Sequence, residues 1–168
     1  MSSTSGARRL GLRSSACAAL GAALLLAAGG QAWAGGEWKS YVKKGSIADT
    51  LVDLEQAIVG RGLKIDYTGN VSGMLDRTGP DVGSTRKVYI GAQYFQFCSA
   101  QLTRQMVEAD PANIGYCPFI VFAYERAARP GEVVAGYRTL GPGSNEESVK
   151  AIKAMTEMLD GIVKEAME

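Results

Sequence analysis

The chain has 168 residues, with 18 basic side chains, 17 acidic side chains and no histidine. Without histidine, the serine–histidine and cysteine–histidine nucleophile pairs are excluded, as are histidine-bound haem or zinc and haem attachment through a C-x-x-C-H run. Nucleic-acid-binding proteins usually carry a clear excess of basic residues, which this composition lacks. We therefore expect no nucleic-acid partner, and many enzyme classes are excluded at once.

Residues 1–34 have the pattern of a cleavable export signal. Three arginines precede an almost unbroken apolar run over residues 16–28, which is the order of a signal peptide. That run is about half to two-thirds of the roughly 20 residues that a membrane-spanning helix needs. An Ala-Trp-Ala sequence ends at Ala34 and places small residues where a signal peptidase cleaves. We predict a periplasmic product without a membrane span, exported by either the general or the twin-arginine route.

Residues 35–168 then form the mature chain, which has the size of one domain. Removal of the signal takes away three of the 18 basic residues and no acidic residue, so the mature net charge is −2. Two cysteines remain, Cys98 and Cys117, in a compartment where disulfides persist. Their oxidation state is the main chemical question that the sequence raises.

The first half of the mature chain predicts helices between extended segments. After an extended lead over residues 37–42, Ser46 is a suitable helix N-cap, followed by apolar side chains spaced four, three and four residues apart. Residues 63–68 alternate apolar and polar side chains, as in a half-buried strand. Asn70 can cap a short second helix, and residues 79–84 are typical of a loop.

The middle of the chain predicts two long strands joined by a helix. Residues 86–97 are mostly of strand type, but their apolar positions change parity, which predicts a bulge near residues 93–95. Ser99 can cap the helix that follows. Residues 117–125 are apolar on both parities, which indicates a strand covered on both faces or at the centre of the sheet.

The end of the chain predicts a hairpin arm and a long helix. Residues 132–139 form the second arm, and Ser144 with Glu147 has the spacing of a capping box at the start of the last helix. The predicted order is β-α-β-α-β-α-β-β-α. This order defines an α+β domain of one sheet and its covering helices.

Three stretches of the chain resemble the bacterial domain-of-unknown-function 302 family. They are AIVGRGLKIDYTGNV at residues 57–71, YFQFCSAQLTRQM at residues 94–106, and YCPFIVFAYE at residues 116–125, followed by a short hairpin. The resemblance implies an antiparallel sheet covered by helices, similar to the TATA-box-binding-protein-like fold. It implies no established activity, and we expect no cofactor or metal.

The antiparallel sheet implied by this resemblance would bring Cys98 and Cys117 to one rim, because residues 110–116 are long enough to lead the chain back. Three alternatives stay open for the pair: a structural disulfide, two buried thiols, and a redox-active or metal-binding thiolate. The last is favoured by the position of Cys98 beside a predicted helix N-terminus, where the helix dipole lowers a thiol pKa.

Most aromatic side chains belong to the two strands that meet at this rim, which is typical of a hydrophobic core. The alternative interpretation is that part of this set lines an apolar ligand site at the rim, beside the cysteines. The leading function is an accessory or binding protein for an unknown small molecule or periplasmic protein. One alternative is a thiol-based redox enzyme or sulfur carrier that uses Cys98, and another is a structural subunit of a homo-oligomer. The predicted ligand residues are Tyr94, Phe97, Arg104, Tyr116 and Glu125.

Overall fold

The structure is a computed structural model that describes residues 38–168. The export signal predicted for residues 1–34 lies outside the described residues. The described part is one five-stranded antiparallel sheet with helices, and the predicted α+β class and element order are confirmed. The elements are β1 (Trp38–Lys44), α1 (Ile47–Val59), β2 (Ile65–Asn70), α2 (Val71–Thr78), β3 (Tyr89–Phe97), α3 (Ala100–Ala109), β4 (Phe119–Arg126), β5 (Glu132–Arg138) and α4 (Glu146–Ala166).

The strands lie side by side in the order β1-β5-β4-β3-β2, and every neighbouring pair is antiparallel. β4 is therefore the central strand, which explains why its sequence is apolar on both parities. In the register across the middle of the sheet, Phe122 lies opposite Tyr94 of β3 and opposite Gly136 of β5. The three residues share one face, since directly paired residues point the same way.

One face of the sheet is covered by α1, α3 and α4 and forms the hydrophobic core. Side chains of β4 at alternate positions, such as Val121 and Ala123, are at most 1% exposed there. They pack against Leu54 of α1, Met106 of α3 and Leu159 of α4. Complete burial of such aliphatic side chains contributes about 1.5–3 kcal/mol each to folding, so this face supplies most of the stability.

The edge strand β1 is attached to α4 by a polar network around Asp160. Its carboxylate accepts hydrogen bonds from the hydroxyls of Tyr41 at 2.5 Å and Tyr137 at 3.1 Å, and it forms ion pairs with Lys39 and Lys164 at 2.9 and 2.8 Å. Burial raises the pKa of the Asp160 carboxyl, but these four partners outweigh burial and hold the pKa well below its usual range. The network therefore favours the ionised carboxylate.

The capping residues explain where the helices begin. Ser46, Asn70 and Ser99 each accept a hydrogen bond from a backbone N–H of the first turn of α1, α2 and α3, as the sequence predicts. For α4 the capping box predicted at Ser144 is wrong. Asn145 caps this helix and bonds the amide of Ser148 at 2.8 Å, while the Ser144 hydroxyl donates to Asp110.

The bulge predicted near residues 93–95 is also wrong, because the register of β3 with β4 is continuous from Gly91 to Phe97. The irregularity lies earlier, between Tyr89 and Gly91. The change of apolar parity has another cause: both faces of β3 are apolar. Phe95 and Phe97 face the helices, whereas Tyr94 lies on the opposite face.

Two further differences concern the neighbouring segments. β2 contains an irregularity between Ile65 and Tyr67, and the side chain of Tyr67 is 55% exposed rather than half-buried. The segment predicted as loop after α2 contains a short 3₁₀ turn, Pro80–Val82. Within residues 38–168, none of the helices combines the length and the apolar character that crossing a bilayer requires.

Candidate functional site

Cys98 and Cys117 form a disulfide, with Cα atoms 6.1 Å apart. Cys98 follows the last residue of β3, and one residue, Pro118, separates Cys117 from the start of β4. A 3₁₀ turn, Pro111–Tyr116, brings the chain back from α3, so the ends of both strands meet at one rim as the antiparallel prediction requires. The structure therefore supports the disulfide among the three alternatives. The peptide bond between Cys117 and Pro118 is cis.

Beside this disulfide lie two adjoining depressions that share Ile120 and Arg138 as lining residues. One, of about 240 Å³, includes Tyr116 and Cys117 in its wall, and the other, of about 460 Å³, includes Trp38. We call the two together the rim groove. Its lining residues used below are Trp38, Tyr116, Cys117, Ile120, Phe122 and Arg138.

The rim groove opens onto the face of the sheet that α1, α3 and α4 leave uncovered, which we call the open face. Here β4 presents Ile120, Phe122 and Tyr124, all partly exposed, between its buried core residues. Val42 and Trp38 of the edge strand β1 are 62% and 67% exposed. The open face is therefore an apolar and aromatic surface in contact with solvent.

Two aromatic rings of the open face lie over glycines of the neighbouring strands. A Cβ atom on Gly69 would overlap the ring of Tyr94, and one on Gly136 would lie 2.9 Å from Cζ of Phe122. Each ring thus occupies the space of a missing side chain directly opposite it in the register. An aromatic side chain over a glycine shields the exposed backbone of a sheet and holds the ring in place.

The aromatic side chains of the open face also contact one another. The rings of Phe122 and Tyr124 stack with centroids 6.3 Å apart, and the ring of Tyr124 meets that of Tyr89 edge-on at 5.5 Å. Tyr67 and Tyr94 form a third pair at 6.1 Å. Such contacts each contribute about 0.5–1.5 kcal/mol beyond burial, so they make the aromatic surface more rigid.

Arg138 supplies the charge of the rim groove. It is exposed, and no carboxylate within residues 38–168 forms an ion pair with it. Its cross-strand neighbour is Trp38 at the start of β1. The guanidinium therefore stands beside apolar side chains and has its donors available for an anionic group.

The structure brings some of the predicted site residues together at the groove. Tyr116 lines the smaller depression, and its hydroxyl packs so closely against Gly141 that a Cβ atom there would overlap it. Tyr94 lies on the open face, two positions before Gln96, which lines the smaller depression, but Tyr94 is not itself a lining residue. Phe97, by contrast, is fully buried among the core residues on the helix-covered face.

The two charged residues predicted at the rim lie elsewhere. Arg104 is exposed on α3 and pairs with Glu108 at 2.7 Å. Glu125 is at the opposite end of β4, where its buried carboxylate accepts a hydrogen bond from the amide of Gly131 at 2.7 Å. It shares the parity of Val121 and Ala123, so its side chain belongs to the helix-covered face.

Sequence reasoning missed all four lining residues of the larger depression, namely Trp38, Ile120, Phe122 and Arg138. The sequence of β4 offered one signal for Ile120 and Phe122, because successive side chains of a strand point to opposite faces of the sheet. Every second residue therefore points away from the helix-covered core. Nothing local connects Trp38 with Arg138, which are 100 positions apart and meet only through the pairing of β1 with β5. Among the described residues, no three histidine, cysteine or carboxylate side chains are grouped to hold a metal ion.

The described residues define a class of protein domain. It is an α+β domain with an antiparallel five-stranded sheet, helices on one face of the sheet and a disulfide at its rim. Among solved structures, the chain is similar to the uncharacterised conserved protein DUF302 from Bacillus stearothermophilus, with a TM-score of 0.63 and 11% sequence identity. The match covers 77% of this chain and 97% of that one. The resemblance to the domain-of-unknown-function 302 family is thereby confirmed at the level of the fold. No protein-family model and no curated protein matches the sequence.

Proposed function

We propose that the chain is an exported binding protein whose rim groove holds a small molecule with an apolar body and an anionic group. The observation that carries this proposal is the unpaired Arg138, which lies where the two depressions of the groove join. The larger depression, of about 460 Å³, falls in the size range of small-molecule sites. Such sites combine a mostly apolar wall with a few polar groups that orient the ligand.

The walls of the groove match the two parts of such a ligand. Trp38, Ile120 and Phe122 offer apolar and aromatic surface to its body. The guanidinium of Arg138 offers paired N–H donors to a carboxylate, sulfate or phosphate group. A partly exposed charge contributes little by itself, but its contribution grows when an apolar ligand excludes water from the ion pair.

The disulfide has a role in this proposal as a support for the groove. It joins the ends of β3 and β4, and Cys117 is itself part of the groove wall. A rigid wall lowers the entropy lost on binding, which is how preorganisation increases affinity. The oxidised state of the pair agrees with the periplasmic location that the signal segment predicts. Cell fractionation of the expressed protein tests that location.

Titration followed by the fluorescence of Trp38 tests the function. The protein processed after Ala34 has Trp38 as its one tryptophan, and intact mass verifies that processing. We expect an aromatic carboxylate such as naphthoate to change the emission saturably, and the neutral naphthalene methanol to bind roughly tenfold more weakly. Arg138→Gln should remove this preference for the anion.

Arg104→Gln is the matched control, because Arg104 is an exposed arginine on a helix, outside the groove. It should leave the titration unchanged. Equal affinity for the acid and the alcohol, or an Arg138→Gln protein that still prefers the acid, would contradict the proposed site. A screen of anionic, neutral and cationic compounds without any saturable response would contradict the function as a whole.

A second candidate function is a thiol-based redox enzyme that uses Cys98. Cys98 is partly exposed and directly precedes Ser99, the N-cap of α3, where the helix dipole favours a thiolate. In this mechanism the reduced pair would transfer two electrons to a substrate disulfide, with two protons passing to the new thiols, as the Cys98–Cys117 bond forms. Fast alkylation of Cys98 near neutral pH in the reduced protein would favour it, and slow alkylation would exclude it.

The third alternative is a structural subunit of an oligomer, in which the long C-terminal helix α4 would pack against a partner through its apolar stripe. That stripe packs in the core of its own chain, since Met155, Leu159 and Ile162 are fully buried. The stripe therefore does not require a partner. Light scattering at several concentrations measures the solution mass and decides this alternative directly.

A further inference from the structure

The open face has a further depression at the end opposite the rim groove. It has a volume of about 340 Å³ and lies beside the hairpin that joins β4 and β5. From Ile120 in the groove to Arg126 here, β4 advances six residues, or roughly 20 Å at about 3.3 Å per residue. We call this depression the basic cleft; its lining residues used below are Arg86, Lys87, Tyr89, Tyr124 and Arg126.

Positive charge exceeds negative charge around the basic cleft. Glu132 pairs with three cations at once, Arg126 at 2.7 Å, Arg129 at 3.3 Å and Lys44 at 3.9 Å. The hydrogen bonds from Arg126 and then Arg129 lower the pKa of the Glu132 carboxyl, which keeps it ionised and already shared. One carboxylate cannot neutralise three cations.

The other side of the cleft adds to this excess. Lys87 pairs with Asp76 at 3.1 Å, and Arg86 forms no ion pair with any carboxylate of residues 38–168. Glu125 lies at the same end of the sheet, but its carboxylate is buried towards the helices and bonded to the amide of Gly131. The cleft thus has several guanidinium and ammonium groups and too few anions.

Arg126 also has a hydrogen-bond donor without an acceptor. Its terminal nitrogen donates to Glu132, whereas its Nε is buried and has no partner within the described chain. A buried donor without a partner destabilises a structure by about 1–3 kcal/mol, so such atoms often belong to sites where a ligand or water binds. The side chain as a whole is 40% exposed, and Arg126 lines the cleft beside Tyr124.

We propose that the basic cleft binds the oxyanion of a phosphate monoester, with the organic part of the ligand against the rings of Tyr89 and Tyr124. A phosphate monoester has about −1.5 to −2 charges at neutral pH, which suits the local excess of cations. The guanidinium groups of Arg86 and Arg126 have the donor geometry that binds such oxygens in pairs. The two tyrosine rings, in edge-on contact, provide an apolar floor. This site is independent of the rim groove and of its proposed ligand.

Two-dimensional NMR of the full chain tests the proposal, with phenyl phosphate as the probe. We expect saturable shifts of the Tyr89, Tyr124 and Arg126 backbone amides and of the Arg126 Nε–H signal. Inorganic phosphate should shift the same signals with roughly tenfold weaker affinity, because it lacks the ring. Phenol, which lacks the charge, should produce no saturable shift at the cleft.

Charge-removing variants make the test specific. Arg86→Gln, at an exposed position without an ion pair, should weaken the binding of phenyl phosphate by roughly tenfold, while the rest of the spectrum stays unchanged. Arg126→Gln should weaken the binding of phenyl phosphate more than Arg86→Gln does. Arg104→Gln and Arg138→Gln are controls outside the cleft and should bind as the unmodified chain does. Absence of saturable shifts, equal shifts with phenol, or unchanged binding by Arg86→Gln would overturn the proposal, and none of these results depends on the rim groove.

Discussion

The two faces of the sheet are built from the same strands and differ in almost everything else. On β4, Val121 and Ala123 are buried under the helices, while their direct neighbours Ile120, Phe122 and Tyr124 remain partly exposed on the open face. Both sets are apolar, so hydrophobicity does not distinguish them. The difference lies in what covers each set: three helices on one side, and aromatic rings over glycines on the other.

This comparison shows how an apolar strand can serve both stability and binding. The helix-covered face is filled by close-packed aliphatic and aromatic side chains and has the Asp160 network as its main polar connection. The open face keeps its rings in place through contacts with each other and with the backbone of Gly69 and Gly136. A surface of this kind is rigid before a ligand arrives, and contiguous exposed apolar patches mark binding sites in many proteins.

Truncation of two neighbouring aromatic residues on β3 should give the largest difference in stability between the two faces. Phe95 is 3% exposed and faces the helices, whereas Tyr94 faces the open side. Phe95→Ala should lower the free energy of unfolding by about 3–5 kcal/mol, because it leaves a cavity in the core. Tyr94→Ala should lower it by about 1 kcal/mol. Urea unfolding followed by circular dichroism measures both, and equal losses would contradict the difference between the faces.

The disulfide supports both faces, because it joins the ends of β3 and β4, and each of these strands has side chains on both faces. Its loop spans 19 positions, and its removal should lower the free energy of unfolding by about 3 kcal/mol through greater chain entropy of the unfolded state. Urea unfolding of the double variant Cys98→Ala with Cys117→Ala, compared with the oxidised unmodified protein, measures this loss, and the reduced unmodified protein is the control for the change of side chains. A loss below about 1 kcal/mol would indicate that the bond does not constrain the unfolded chain.

The Asp160 network belongs to the helix-covered face. It should affect how the free energy of unfolding changes with pH in the acid range, which we call the acid limb of the stability curve. The pKa of Asp160 in the folded chain lies below its unfolded value near 3.9, so the contribution is present above about pH 4 and is lost as the pH falls further. Asp160→Asn should lower stability at neutral pH by about 1–3 kcal/mol and flatten this acid limb. Asp66→Asn, at an exposed position of β2 outside the network, is the control that should leave the limb unchanged.

The smallest expected effect is a loss of folding stability at alkaline pH, and it involves the same network. Burial, and then the charge of Asp160, raise the pKa of Tyr137 to about 12. The unfolded value is near 10, so the stabilisation is complete below pH 10 and is lost as the pH rises through 12. Tyr137→Phe should cost about 1 kcal/mol at neutral pH and remove this alkaline loss. If unfolding curves at pH 9 and 11 differ equally in both proteins, Tyr137 does not cause the loss.

Much of the fold could be predicted from the chain because its causes are local. A polar side chain before an amphipathic run, as at Ser46 or Ser99, can be recognised without any tertiary contact. The central position of β4 was also visible, because its sequence is apolar at nearly every residue. Of the two interpretations of that pattern, the central position is right, whereas only one face of β4 is covered by helices. The error at Ser144 shows the limit of this approach, because its hydroxyl is bound by Asp110, 34 positions away.

The candidate site was harder to predict because its members come from distant parts of the chain. Cys98, Cys117 and Tyr116 were recognisable, since all belong to one strand–helix–strand unit. Glu125 was placed at the wrong end because its position depends on the direction and length of β4. Arg138 had no local feature that distinguished it from any other charged residue near the end of a strand.

By itself, therefore, the amino-acid sequence determined the order of helices and strands, the caps of α1, α2 and α3, the α+β class and the pairing partners available to the cysteines. These depend on residues within one or two turns or strands of each other. Only the tertiary structure decided which apolar residues are buried and which form the open face. It also decided that Trp38 meets Arg138, and that Arg86 meets Arg126, because strand order and register place side chains that the sequence keeps far apart.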